Sequence, residues 1–234
     1  MGDRLKGRRV VLTGATRGVG LCIARLFLQE GAMIIGAGKD QVRLEKVANE
    51  LSAFGSFEPV IADLGTPGFE ESIREAVDKK WGALDLLVNN AGVMLAYAGF
   101  LEDAKGILED TMNVNLFAPY HLTRALVPYL LKGNEPRIIN TSSGAGCFEA
   151  LHAHDIASYR VSKMALNGFT IVLADELAGK IAVNSFDPGW VKTDLGGAQA
   201  PGVPEDSAKG ALNLATRPFS YTGKFWKDDG EIPF

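Results

Sequence analysis

Short apolar runs and amphipathic stretches alternate along this chain from one end to the other. Residues 9–12 make a brief apolar run closed by Thr13-Gly14. Residues 19–30 then set Val19, Cys22, Ile23, Leu26 and Phe27 at helical spacing, and Gly31 ends that segment. Further strands are expected at 33–37, 57–61, 84–88, 137–140, 181–186 and around 223–226. Helices are expected from 40 to about 54, at 69–81, over about 103–131, at 157–178 and near 205–216. The run 84–88 is nearly all apolar, as a strand covered on both faces requires. Pro119 and Pro128 are expected to disturb the long fourth helix. This rhythm implies an α/β fold, a doubly wound parallel sheet of about seven strands with helices on both faces. No linker or repeat interrupts it, and the Gly/Pro/Ala-rich stretch 196–204 reads as a loop within the fold. One domain over 1–234 is the expectation.

Composition narrows the function more than the fold. The chain has 234 residues, 47% of them hydrophobic, enough for one large core and too few for two. A formal net charge of −4 argues against a nucleic-acid binder, which needs a basic face. Two cysteines, Cys22 and Cys147, make no disulfide framework and fit a reducing compartment. Cys22 falls in an apolar helical stripe, and neither Cys147 nor the pair His152 and His154 has metal-ligand spacing, so no metal is expected. The N-terminus lacks the apolar core of a secretory signal, and Lys6 breaks the myristoylation pattern. The apolar run 21–28 is short and interrupted by Arg25, so no membrane span is expected and the protein is placed in the cytoplasm.

Two motifs carry chemistry. The turn Thr13-Gly14-Ala15-Thr16-Arg17-Gly18-Val19-Gly20 follows the first strand and opens the first helix, the setting of a dinucleotide pyrophosphate site. Tyr159 and Lys163 stand four positions apart on one face of a helix. A phenol has a pKa of about 10. An ammonium about 4 Å away, at an effective dielectric of about 20, contributes about 4 kcal/mol, or about three pKa units before desolvation takes some back. Lys163 is therefore expected to lower the Tyr159 pKa and ready the phenol for acid–base work. Turn and pair together read as a nicotinamide-dependent oxidoreductase.

On these residues the chain resembles the short-chain dehydrogenase/reductase family. The resemblance rests on Gly14, Gly18 and Gly20, Asp63-Leu64, Asn89-Asn90-Ala91-Gly92, Asn115, Ser142-Ser143, Tyr159/Lys163 and Pro188-Gly189-Trp190-Val191-Lys192-Thr193, nearly all just beyond expected strand ends. It implies that Asp63 meets the adenine amine beside Leu64, and that Asn90, Ala91 and Gly92 line the ribose region. Pro188, Gly189, Val191 and Thr193 then line the nicotinamide or phosphate region. It further implies that Lys163 also holds the nicotinamide ribose and that Asn115, in a locally opened helix, holds a proton-relay water. Ser143 is the choice to polarise the substrate oxygen, with Ser142 the runner-up. Asp63 could instead cap a helix.

The second strand ends in Gly38-Lys39-Asp40, with no acid at Gly38 to take a ribose hydroxyl, and Arg17 lies in the glycine turn. Lys39 and Arg17 suit a 2′-phosphate, so NADP(H) is favoured over NAD(H), unless both are merely solvated or Asp40 turns inward. Sixteen positions separate Ser143 from Tyr159, more than the family commonly has, and that loop is expected to shape the pocket or alter subunit contacts. Met94, Phe148, Leu151 and Trp190 are candidate walls for a small hydrophobic ketone or aldehyde. An oxidatively working alcohol or steroid dehydrogenase and a non-catalytic NADP sensor are the alternatives. The faces of 103–131 and 157–178 leave a homo-oligomer open.

Overall fold

The computed structural model describes residues 2–234. Eight strands form one sheet in the order β3-β2-β1-β4-β5-β6-β7-β8. They are β1 (Arg9–Thr13), β2 (Met33–Gly38), β3 (Phe57–Ile61), β4 (Leu86–Asn89), β5 (Arg137–Thr141), β6 (Ala182–Asp187), β7 (Lys224–Lys227) and β8 (Gly230–Ile232). All neighbours are parallel except β7 and β8, which form an antiparallel hairpin. The helices are α1 (Gly18–Gln29), α2 (Gln41–Leu51), α3 (Phe69–Lys80), α4 (Ile107–Met112), α5 (Ala118–Leu130), α6 (Ala157–Glu176) and α7 (Pro204–Thr216).

Alternation along β1 divides the core in two. Val10 and Leu12 pack with Ile23 and Phe27 of α1, Val47 and Leu51 of α2, and Ala211 of α7. Val11 faces the other way, onto Ile73 of α3, Leu122 and Leu126 of α5, and Leu173 of α6. With both faces covered, the central strands carry few exposed positions, which is why their sequences read as continuous apolar runs. Connections leave β1 toward β2 and β4 toward β5, so a crevice opens between the C-terminal ends of β1 and β4.

Two local features depart from the sequence pattern. The expected long helix 103–131 is interrupted just before Pro119. Asn113–Phe117 is a π-helical turn between α4 and α5, while Pro119 sits in the first turn of α5 and Pro128 is accommodated near its end. Phe117 and Ala118 are already helical, so the N–H that Pro119 lacks is missing within the helical run, directly after the π-helical turn. The hairpin strand β8 was not anticipated, because its three residues have no buried apolar alternation.

Candidate active site

The crevice is built on the glycine turn. Gly14 has φ of +68°, and a Cβ there would sit 3.0 Å from the Ala91 Cα. At Gly20 a Cβ would lie 2.1 Å from the Gly14 carbonyl oxygen, so any side chain would force the turn open. The turn is sewn to the end of β4: Thr13 Oγ1 accepts from the Asn90 and Ala91 N–H groups, and Asn90 Nδ2 donates to the Thr13 carbonyl at 2.9 Å. Asn90 thus uses its amide to hold the turn. Asn89, one residue earlier, ties β4 to β5 by donating to Asn140 Oδ1 at 2.8 Å. Helix α1 begins at Gly18 with no side-chain cap and no acid in its first turn, Val19 being half-buried there. Free N–H groups, a positive helix end and a glycine floor fit an anionic pyrophosphate.

On the adenine side, Lys39 is exposed just beyond β2. Asp40 does not turn inward; its carboxylate accepts from the Arg43 N–H at 3.0 Å and caps α2. Asp63 is exposed and accepts from the Gly65 N–H at 3.1 Å, beside half-buried Leu64. It caps no helix, since α3 starts at Phe69 behind Gly68. Arg17 Nη1 is paired with Asp194 Oδ2 at 2.7 Å, both largely exposed. Across the crevice mouth the Thr193 methyl lies 3.0 Å from where a Gly18 Cβ would be, and Thr193 Oγ1 accepts from the Gly196 N–H. Val191 is buried, and the Pro188-Gly189 corner is fixed by Ser207 Oγ donating to the Pro188 carbonyl and by the Gly189 N–H donating to Asp187.

The residues expected to transfer protons gather beyond β4 and β5. Lys163 is buried, and its Nζ donates to the Thr141 carbonyl at 2.8 Å and stands 5.6 Å from the centre of the Tyr159 ring. A Cβ on Gly92 would be 3.3 Å from both that Nζ and Asn115 Oδ1. Asn115, fully buried in the π-helical turn, accepts from the Val93 N–H and donates to the Val93 carbonyl and to Ser162 Oγ. Ser143 Oγ accepts from the Ala145 N–H at 3.1 Å, while buried Ser142 donates to the Lys163 carbonyl.

The electrostatics overturn one expectation. Burial pushes the Tyr159 phenol up to about 12, only partly offset by the Ser143 hydroxyl, and the Asp187 carboxylate pushes the same way. Burial also pushes Lys163 down to about 8, against the pull of Asp187. The phenol thus stands above its ordinary value rather than below it, and burial is the largest cause for both groups. Asp187, nine-tenths buried at the end of β6 with Lys227 Nζ 3.8 Å away, was missed in the sequence. Nothing in the sequence marks it beyond its place directly before Pro188-Gly189.

The four residues expected to wall the pocket are partly or largely exposed. Phe148 and Trp190 are exposed at 68% and 57%, and Met94 and Leu151 are half-buried.

Residues 8–203 match the profile of the short chain dehydrogenase family. The chain is 31% identical to the 3-oxoacyl-(acyl-carrier-protein) reductase FabG of Thermotoga maritima, over 90% of this chain and 83% of that one. It belongs to the short-chain dehydrogenase family.

The solved short-chain dehydrogenases agree over the whole fold. A Pseudomonas aeruginosa RhlG/NADP active-site complex superposes with a TM-score of 0.88 at 30% identity, covering 98% of each chain. A short chain dehydrogenase from Burkholderia cenocepacia in complex with NADP gives 0.86 at 27% identity, over 97% of this chain and 98% of that one. This short-chain dehydrogenase is accordingly an oxidoreductase. Among its described residues no helix is long and apolar enough to cross a membrane.

Proposed function

We propose that this short-chain dehydrogenase reduces the carbonyl of small to medium hydrophobic ketones or aldehydes with NADPH, in the cytoplasm. The observation that carries the reading is the convergence of Ser143, Tyr159, Lys163 and Asn115 beside the glycine turn, beyond the ends of β4 and β5. Bound NADPH supplies the hydride. Tyr159 gives its phenolic proton to the carbonyl oxygen, so hydride plus proton make the alcohol, and Ser143 donates a hydrogen bond to that oxygen as negative charge develops. Lys163 and the opened helix at Asn115 return a proton to the phenol. Burial keeps the phenol protonated at neutral pH, the form from which reduction draws its proton.

Three features support NADPH over NADH. Gly38 leaves no carboxylate at the end of β2, Asp40 is occupied as a cap, and Lys39 is exposed there. Arg17 is reachable despite Asp194. An exposed pair is worth about 0.2–1 kcal/mol, whereas a charge-assisted bond to a phosphate is worth about 1.5–3 kcal/mol. The solved relatives that hold NADP point the same way.

The test is loss of reduced-nicotinamide absorbance over a panel of ketones and aldehydes with each cofactor. Turnover with NADPH should be lost by about 10²–10⁴-fold in Tyr159→Phe, with NADPH affinity retained. An inert enzyme that still binds NADPH tightly would point to a sensor instead.

A further inference from the structure

The loop between Ser143 and Tyr159 has little regular structure of its own. Its regular structure is limited to two short 3-10 turns, Gly144–Gly146 and Phe148–His152. Arg160, next to Tyr159 on α6, donates to three of the loop's carbonyls, those of Ala145, Ala150 and Asp155. Its side chain is only 12% exposed. Nη1 donates to the Ala150 carbonyl at 2.9 Å and to the Ala145 carbonyl at 3.4 Å. Nε donates to the Asp155 carbonyl and carboxylate at 3.2 and 3.1 Å, and Nη2 completes the fork on that carboxylate.

We propose that Arg160 is a positioning residue that clasps the 144–156 loop and thereby orients the Ser143 hydroxyl. This rests on the role given to Ser143 above. The link is the Ala145 residue. Its carbonyl takes the Arg160 bond, and its N–H donates into Ser143 Oγ at 3.1 Å. An N–H aimed at the oxygen's lone pair leaves the Ser143 O–H to point elsewhere, toward a substrate oxygen. The second end of the clasp fixes the start of α6. Ile156 holds φ of +42°, a conformation that a β-branched residue rarely adopts. It is held between Asp155, bound by Arg160, and Ala157, whose N–H donates to the Ala98 carbonyl at 3.0 Å. Tyr159 follows three residues later. One guanidinium therefore ties the hydroxyl that polarises the substrate to the launch of the helix that carries the proton donor. A lysine could make one of these bonds, not the fork.

Three measurements test this on the full-length enzyme. Hydrogen exchange should speed up across 144–155 in Arg160→Met while the middle of α6 stays protected. Unchanged exchange would dismiss the clasp whether or not any substrate has been found. With a ketone that the enzyme turns over, kcat should fall by about tenfold to a hundredfold, with the NADPH dissociation constant unmoved. In a Ser143→Ala background the same Arg160→Met change should cost clearly less, since one of its two targets is already gone. An equal loss in both backgrounds, or a parallel loss of NADPH affinity, would overturn the assignment. Should Arg160→Met fail to fold, Asp155→Asn removes only the charged end of the clasp. That change should speed hydrogen exchange at residues 153–157, and unchanged exchange there would equally overturn the assignment.

Discussion

Lys163 is a side chain whose proposed catalytic use and effect on stability pull apart. It is buried with one carbonyl partner, Thr141, and near two groups that bear on its charge, Tyr159 and Asp187. Burial lowers its pKa from 10.5 to about 8, so the folded state holds that proton less tightly than the unfolded chain does. Below pH 8 both states are protonated and the fold carries the full penalty. As pH rises from about 8 to 10.5 the unfolded chain binds more protons, so stability recovers over that window. Lys163→Met should therefore raise stability at neutral pH by about 1–3 kcal/mol while abolishing turnover. The advantage should shrink as urea titrations move from pH 7 toward 10; a gap that widens with pH would contradict the sign. At this scale the motif residues were legible because their spacing is itself the signal. Asp187 and Arg160 were not, since an isolated acid or arginine declares nothing until its neighbours are known. The phenol's pKa was misjudged for the same reason: separation can be guessed from sequence, whereas desolvation needs the packing.

Elements were legible where periodicity and burial agree. Strand β3, Phe57–Ile61, falls on its expected bounds, and α1 and α7 differ by a residue at most at either end. The break at Asn113–Phe117 was not visible in the helical pattern itself, because a π turn inserts one residue without changing composition; only the family resemblance pointed to an opening at Asn115. Strand β4 was expected to start at 84 but starts at Leu86, because Asp85 is diverted from the apolar pattern. Its buried carboxylate accepts from the Arg9 N–H, Nε and Nη2 and from the Asn134 N–H, binding the starts of β1 and β4 to the segment before β5. Truncation would leave Arg9 and two backbone donors without their acceptor. Asp85→Ala should cost about 3–5 kcal/mol of folding stability, read as a fall in the urea midpoint. The NADPH Michaelis constant should be unaffected, because Asp85 lies at the end of the sheet opposite the crevice.

For the whole molecule, strand order decides where chemistry can occur. The crevice lies where connections diverge from β1 and β4, so its walls come from segments far apart in sequence. Gly14 meets Ala91, Gly18 meets Thr193, and Gly92 meets both Asn115 and Lys163. Alternation of strands and helices implied the doubly wound sheet and the family resemblance supplied the residues along its crevice, but neither showed how the sheet ends. The β7–β8 hairpin returns the chain toward the catalytic loop, where Phe234 stacks on Phe225 and its carbonyl accepts from the Phe148 N–H. A dinucleotide laid across the β1/β4 crevice touches both halves of the sheet and binds the folded state alone. At a hundredfold excess over its dissociation constant it should add about 2.7 kcal/mol. For a domain of this size each kcal/mol moves the melting temperature by about 2–4 °C, so NADPH should raise Tm by about 5–10 °C. NADH at the same concentration should raise it less, because the hydroxyl it carries in place of the 2′-phosphate gives Lys39 and Arg17 no charge to meet. Lys39→Ala with Arg17→Ala should bring the two shifts together by lowering the NADPH value. Equal shifts in the unaltered enzyme would remove the case for NADPH while leaving the crevice itself intact.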